Sequence, residues 1–157
     1  MEINALTRMK VAQQLTEGNF TNEKHRLRVN LMHSSVWVND HITDFLKPFG
    51  ITQQQFNILR ILRGQFPDPI STKQLRERMI MGNSDTSRLI DRLIDKNLVW
   101  KRPCPHDGRL IQAFISEDGQ ALLKKIDEAI PALDGTMDNL TEEEARLLNQ
   151  LLIKMRR

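Results

Sequence analysis

Apolar residues recur at helical spacing along much of this chain, and the pattern predicts a fold built mainly of helices. The first periodic stretch covers residues 22–47, where Leu27, Leu31 and Val38 lie close to one face and Pro48 ends the run. A helix of roughly 25 residues is long for a small domain. We therefore expect it to project beyond one lobe and to pack against another element.

Further helix starts are predicted where Ser or Thr is followed three residues later by Gln or Glu, the pattern of a capping box. The chain has three such pairs: Thr52–Gln55, Ser71–Gln74 and Thr141–Glu144. Another helix is predicted from a cap at Asn83 or Ser84 to about Asn97. One more follows Ser116, and we expect Pro131 to kink or end it.

After residue 97 the pattern changes from helical to strand-like. Two short β-prone runs, 98–102 and 110–115, flank a segment with two prolines and an Asp-Gly pair. This arrangement predicts a β-hairpin with an exposed tip. From Ser71 to Ser116 the order is thus helix, tight turn, helix and hairpin, which is the layout of a winged helix-turn-helix. The predicted fold class is mainly α with a small β-hairpin wing.

Two features of the composition add to the predicted fold, namely the distribution of charge and the number of cysteines. The net charge is +3, and the segment from Ser71 to Gln112 holds nine basic and five acidic side chains. Such a local basic excess suits a surface that faces phosphate, although a solvated charged face has the same composition. The single cysteine excludes an intrachain disulfide framework.

Several classes of protein do not fit the sequence. No stretch is apolar and long enough for a signal peptide or a membrane span, so we expect a cytoplasmic protein without a membrane partner. A Gly-rich phosphate loop, a nucleophile triad and a paired-carboxylate site are also missing from the sequence. We therefore expect neither an enzyme nor a bound cofactor or metal.

The second helix of the motif has one apolar and one charged side. Four aliphatic side chains share an arc of roughly 140°, namely Leu89, Ile90, Leu93 and Ile94. The opposite side carries Arg88 and Arg92, after short hydroxyl residues that let the backbone approach a groove closely. Asp91 and Asp95 lie on the same side, and we expect them to tether the two arginines through i,i+3 pairs. We predict that this helix enters the major groove, with Arg88 on guanine or phosphate.

The hairpin places further basic residues near its tip, where a narrow loop can enter the minor groove or grip the adjacent backbone. Asp107 can hold the guanidinium of Arg109 in one orientation, so less entropy is lost on binding. A polar-faced helix followed by a basic wing is a more specific sign of DNA binding than either feature alone. The predicted DNA-contacting residues are Ser84, Asp85, Thr86, Ser87, Arg88, Arg92, Arg102, His106, Asp107 and Arg109.

These segments resemble the MarR (multiple antibiotic resistance regulator) family of transcription factors. The helix carries Thr-Ser-Arg-Leu-Ile-Asp-Arg-Leu at 86–93, and the wing carries Pro-His-Asp-Gly-Arg at 105–109, with Phe-Ile-Ser-Glu-Asp-Gly following at 114–119. Gly108 replaces the middle wing arginine of the family. Asn97 stands where Gly is common, and Asn tolerates the same left-handed turn. The resemblance runs from about Asn22 to Met155.

The resemblance implies a homodimer that presents two recognition helices to a pseudo-palindromic duplex. It implies an N-terminal arm and dimerisation helix at residues 1–50, a DNA-binding lobe at 51–116 and C-terminal dimerisation helices at 117–157. It also implies a repressor that leaves DNA when a small aromatic or phenolic effector binds between the dimerisation helices and the lobe. Candidate lining residues for that effector are His33, Trp37 and His41.

Other functions stay open on the sequence alone. The winged helix can instead dock an acidic protein partner through its basic face. Cys104 can act as a redox sensor or, in a motif faintly similar to that of alkyltransferases, accept an alkyl group, although a surface thiol is the simpler interpretation. His25, His33 and His41 recur every eight residues and fan out around a helix, so the three cannot share one metal ion. A metal-responsive regulator stays open only if two of them bind an ion together with groups from another helix, and histidines on a polar helix surface are the simpler interpretation.

Overall fold

The computed structural model describes residues 18–79, 85–105 and 110–157. The chain divides into two units, which meet in sequence between Ile42 and Thr43. Its first described helix, α1 (Glu23–Leu46), confirms the long helix predicted from the apolar spacing, and a 3-10 turn (Lys47–Phe49) follows it. Gly50 closes that turn in a left-handed conformation, with φ at 67°, and donates its N–H to the Lys47 carbonyl.

The second unit combines helices with a small sheet. Its elements are α2 (Gln53–Gln65), β1 (Ile70–Ser71), α3 (Thr72–Arg78), α4 (Thr86–Ile94), β2 (Val99–Pro103), β3 (Ile111–Ile115), α5 (Glu117–Asp134), a 3-10 turn (Gly135–Met137) and α6 (Glu142–Met155). Strand β3 is central, and both β1 and β2 pair with it in antiparallel fashion. The predicted fold class is confirmed, and β1 adds a third strand to the predicted hairpin.

The observed helix starts test the predictions made from short sequence patterns. All three predicted capping boxes are present. The predicted cap of α4 at Asn83 or Ser84 is wrong, because Asp85 accepts the hydrogen bond from the Arg88 backbone N–H at 3.3 Å. Asp, Asn and Ser cap helices about equally well, and the chain has Asn83, Ser84 and Asp85 in succession. Cap preference alone therefore does not identify which of the three begins the helix. Helix α5 continues through Pro131, so the proline does not end it.

The core of the second unit lies where α2, α4, α5 and the sheet meet. Its largest fully buried side chains are Leu46, Ile58, Leu59, Leu62, Ile70, Leu75, Ile90, Leu93, Leu123 and Ile126. Ile90 and Leu93 come from the predicted apolar side of α4. Because this side is buried, the opposite side of α4, with Arg88 and Arg92, faces water.

A joint formed by residues 97–98 and 116–119 fixes α4, the wing and α5 to one another. Asn97 has a left-handed φ of 59°, as predicted. Leu98 then donates its N–H to the Leu93 carbonyl at 2.9 Å, and its own carbonyl accepts from the Ser116 N–H at 3.1 Å. The Ser116 hydroxyl donates to the Asn97 carbonyl at 2.6 Å and accepts from the Gly119 N–H at 3.0 Å.

One carboxylate ties α2 to α5. The Arg63 guanidinium donates two hydrogen bonds to Asp127, at 2.5 and 3.3 Å, and Arg60 lies 3.8 Å from the same carboxylate. The hydrogen bond from Arg63 lowers the pKa of Asp127 below its ordinary value, burial opposes this, and the charges of Arg63 and Arg60 lower the pKa further. The charged form of Asp127 therefore stabilises the folded state.

We expect Asp127→Asn to lower the free energy of unfolding by about 1 kcal/mol at neutral pH, since the pair is partly exposed and screened by solvent. The pKa of Asp127 is depressed on folding, so this stabilisation is present above the unfolded-state pKa and is lost as the pH falls through the folded-state pKa. Urea unfolding at pH 7 and below pH 4 measures both effects. Glu128→Gln, an exposed neighbour on α5, is the matched control, and an equal loss in both variants would contradict the assignment.

Candidate nucleic-acid interface

The exposed side of α4 presents an arginine that is already oriented. The side chain of Arg88 is 81% exposed, and its Nε lies 3.0 Å from Asp85 Oδ2. Asp85 thus caps the helix through one oxygen and holds the guanidinium through the other. The predicted tether of Arg88 by Asp91 is wrong, because Asp85, one turn earlier, takes that role. Arg92 makes no ion pair with any residue in the described part of the chain.

Asp91 instead connects α4 to the wing. Its Oδ1 lies 2.5 Å from the Lys101 Nζ in β2. This Lys101–Asp91 bridge joins residues ten positions apart, so the spacing rules for a single helix did not predict it. It neutralises a carboxylate that phosphate would otherwise meet.

The short residues at the start of α4 point in two directions. The predicted contact residue Thr86 is only 5% exposed, and its hydroxyl donates to Met79 Sδ at 3.7 Å, so this side chain lies on the core side of the helix. Ser87 is exposed and lines a cleft of about 210 Å³ together with Thr72, Lys73 and Arg76 of α3. The sequence prediction of contact residues omitted these three, although α3 is the helix that crosses the DNA backbone in this motif.

The wing carries an aromatic stack on its strands. Trp100 and Phe114 are cross-strand partners whose ring centroids lie 3.9 Å apart with nearly parallel planes. The guanidinium of Arg102, a predicted contact residue, lies 4.8 Å from the Phe114 centroid, within the range of a cation–π interaction. The predicted contact residues Ser84, His106, Asp107 and Arg109 lie outside the described residues.

The predicted effector residues belong to α1. His41 and Trp37 lie one turn apart, with the His41 Nδ1 2.8 Å from the Trp37 carbonyl and the ring centroids 4.2 Å apart. His33 is exposed one further turn away. Within the described ranges, no group of three or more metal-ligating side chains is close enough to hold an ion, and no helix is long and apolar enough to cross a membrane.

Helix α6 leaves an apolar face in water. Leu147, Leu148, Leu151 and Met155 fall within an arc of roughly 100°, and each of them is between 45% and 56% exposed. Ile153 is also exposed, but it lies on the other side of the helix. A contiguous exposed row of large aliphatic side chains is typical of a protein interface.

The chain is similar in sequence to a known family of proteins. The sequence model of the MarR family matches residues 49–110, which span α2, α3, α4 and β2. The HTH-type transcriptional regulator MhqR of Bacillus subtilis is 24% identical over 133 residues, which cover 84% of this chain and 90% of the relative.

Solved structures share the fold over most of the chain. A variant of MarR from E. coli complexed with operator DNA superposes with a TM-score of 0.75 at 24% identity, covering 88% of this chain and 99% of that one. The organohalide-sensing regulator RdhR in its 2,4-dichlorophenol-bound form superposes with a TM-score of 0.76 at 20% identity, covering 89% and 85%. At these identities the likeness establishes the winged-helix fold, which agrees with the element order and the sheet.

Proposed function

Because the MarR family model matches residues 49–110 and the similar proteins are transcription regulators, we propose that this chain is a MarR-type regulator that reads duplex DNA with α4 in the major groove and the wing beside it. Regulators of this kind are not enzymes, and they act by binding DNA or releasing it. The observation that carries the proposal is the exposed basic side of α4: Arg88 and Arg92 face water, while the apolar side is buried in the core.

The groups around α4 divide into base-reading and phosphate-binding roles. Arg88 is oriented by Asp85 and exposed, which suits bidentate contact with guanine. The cleft lined by Thr72, Lys73, Arg76 and Ser87 offers hydroxyls and two cations to a phosphate. Asp85 also lines it, and its charge is offset by the ion pair with Arg88. Arg102 and Arg109 of the wing are proposed to contact the neighbouring backbone or the minor groove.

We further propose that two copies assemble through the apolar face of α6 and bind a pseudo-palindromic operator. A two-fold axis brings the same face of both chains together, so a single apolar row is self-complementary. The exposed leucines of α6 support this assembly. The proposed output is repression.

The proposed release signal is a small aromatic or phenolic effector. The regulator RdhR, which shares the fold, was solved with 2,4-dichlorophenol. The contacting rings of Trp37 and His41, with His33 one turn away, are the proposed residues for such a ligand. Selection of bound duplexes from a random pool, with and without chlorophenols or aromatic acids, tests both the palindrome and the release.

We expect Arg88→Ala to weaken operator binding by about 1–3 kcal/mol per half-site, roughly fivefold to 150-fold each, and to relax the preference at one base position of each half-site. Lys73→Ala is expected to weaken binding to all sequences alike and to reduce the salt slope by about one per subunit, thus by about two for the dimer. Mobility-shift titrations at several salt concentrations measure both. Arg109→Ala at the wing is expected to weaken binding as well.

Arg146→Ala, an exposed arginine on α6, is the control for removal of a positive charge. Equal affinity of wild type, Arg88→Ala and Arg109→Ala would overturn the proposed interface. Binding to duplexes without sequence preference or salt dependence would instead favour an acidic protein partner for the basic face.

A further inference from the structure

A cavity of about 650 Å³ lies beside the aromatic stack of the sheet, within the second unit. It is bounded by the end of α2 and the loop after it, by β2 and β3, and by the first turn of α5. The side chains that determine its chemistry are Phe66, Asp68, Trp100, Phe114, Glu117 and Gln120. Its volume falls in the range of pockets that take drug-sized molecules.

Two large aromatic side chains of this cavity are left in water. Phe66 is 57% and Trp100 43% exposed, although both sit beside buried residues of the core. The Trp100 ring stacks on Phe114 with an interplanar angle of 2°, which makes a flat apolar wall. A ligand with a flat aromatic surface would remove this wall and Phe66 from water, and that burial is favourable.

The ionisable groups of the cavity have one sign. Asp68 and Glu117 are exposed at its rim, and none of its lining residues, all of them in the described part of the chain, is basic. The Arg102 guanidinium lies 4.8 Å from the Phe114 centroid and 5.9 Å from that of Trp100, so one positive charge stands beside the aromatic wall. The two carboxylates of the lining outnumber it, and the charge next to a positive ligand is negative on balance. A positive ligand meets two carboxylates and electron-rich rings, whereas a negative ligand meets like charges at the rim.

We propose that this cavity binds a flat aromatic organic cation. The rings supply most of the contact area, and Asp68 and Glu117 select the charge. Gln120, half-buried on α5, offers an amide for a polar edge of the ligand. None of the lining residues is assigned to DNA or to the phenolic effector, although Arg102, which is assigned to DNA, lies against the aromatic wall. Direct binding without DNA therefore tests the site.

The test uses the full chain with Trp37→Phe, which leaves Trp100 as its single tryptophan. The two probes share one ring system: 9-aminoacridine is cationic at neutral pH, and acridine-9-carboxylate is anionic. We expect saturable quenching of Trp100 fluorescence by the cation and at least about tenfold weaker binding of the anion. Calorimetric titration of wild type gives the same comparison without the substitution.

Asp68→Asn combined with Glu117→Gln is expected to weaken binding of 9-aminoacridine by roughly tenfold and to leave binding of the anion unchanged or improved. Glu128→Gln, an exposed acid on the same helix that does not line the cavity, is expected to have no effect. The absence of saturable binding, equal affinity for the two probes, or unchanged affinity in the double variant overturns the proposal. If the double variant does not fold, the comparison of probes on wild type decides alone.

Discussion

Gly119→Ala is expected to lower the free energy of unfolding by about 3 kcal/mol and the melting temperature by about 10 °C. A Cβ at this position would overlap the Leu98 carbonyl oxygen and lie 2.8 Å from Ile115 Cγ1. The carbonyl cannot withdraw, because it accepts the hydrogen bond from Ser116 that closes the joint. Relief therefore requires α5 to move away from the wing, which opens the packing of a buried position.

Thermal unfolding followed by circular dichroism measures this loss. Gly64→Ala is the matched control, because its added Cβ meets no atom within 4 Å. Ala in a helix loses less backbone entropy on folding than Gly, so this control is expected to be stabilised by up to about 1 kcal/mol. The expected changes in the free energy of unfolding are therefore opposite in sign for the two glycine substitutions. Equal melting temperatures for the two variants would show that the joint tolerates a side chain.

Leu151→Asp is expected to convert the proposed dimer into a monomer at micromolar concentration. Each buried leucine contributes about 1.5–3 kcal/mol, and a two-fold interface loses this twice. The introduced carboxylates would also be desolvated in the interface, which costs further free energy. Sedimentation equilibrium measures the association, and the monomer is expected to bind a palindromic duplex at least about a hundredfold more weakly.

Ile153→Asp makes the same kind of change on the other side of α6. This side chain is 49% exposed, close to the 53% of Leu151, so both variants carry similar costs in helix propensity and exposure. The Ile153 variant is expected to stay dimeric. A monomeric wild type, or a dimeric Leu151→Asp variant, would contradict assembly through this face.

Much of the fold followed from rules that act within a few residues. The capping boxes at Thr52, Ser71 and Thr141 each need only one partner three positions away, and all three formed. The apolar arc of α4 predicted its buried side for the same reason, since helix geometry alone places Ile90 and Leu93 together. The family resemblance, carried by the helix and wing motifs, agreed with the comparisons.

Contacts between segments that are distant in sequence could not be predicted by such rules. Strand β1 is only two residues long, and it exists because Ile70 pairs with Ala113 of β3. The Lys101–Asp91 bridge and the Arg63–Asp127 pair likewise join separate elements, so their charges could be read from the sequence but their partners could not. For Arg88, two acids lay within one helical turn, Asp85 and Asp91, and the cap position of Asp85 decided between them.

Two acids at α4 pair with cations of the protein, the cap residue Asp85 with Arg88 and Asp91 with Lys101. If α4 enters the groove as proposed, we expect an approaching duplex to be attracted mainly by charges without an ion pair in the described residues, such as Arg92, Lys73 and Arg76. We expect these charges to set the rate of association, because steering acts at long range. The charge of Arg88 is offset by Asp85 at a distance, so we expect Arg88 to act at close range and to govern how long the complex lasts. On this proposal, finding an operator and remaining on it depend on different cations.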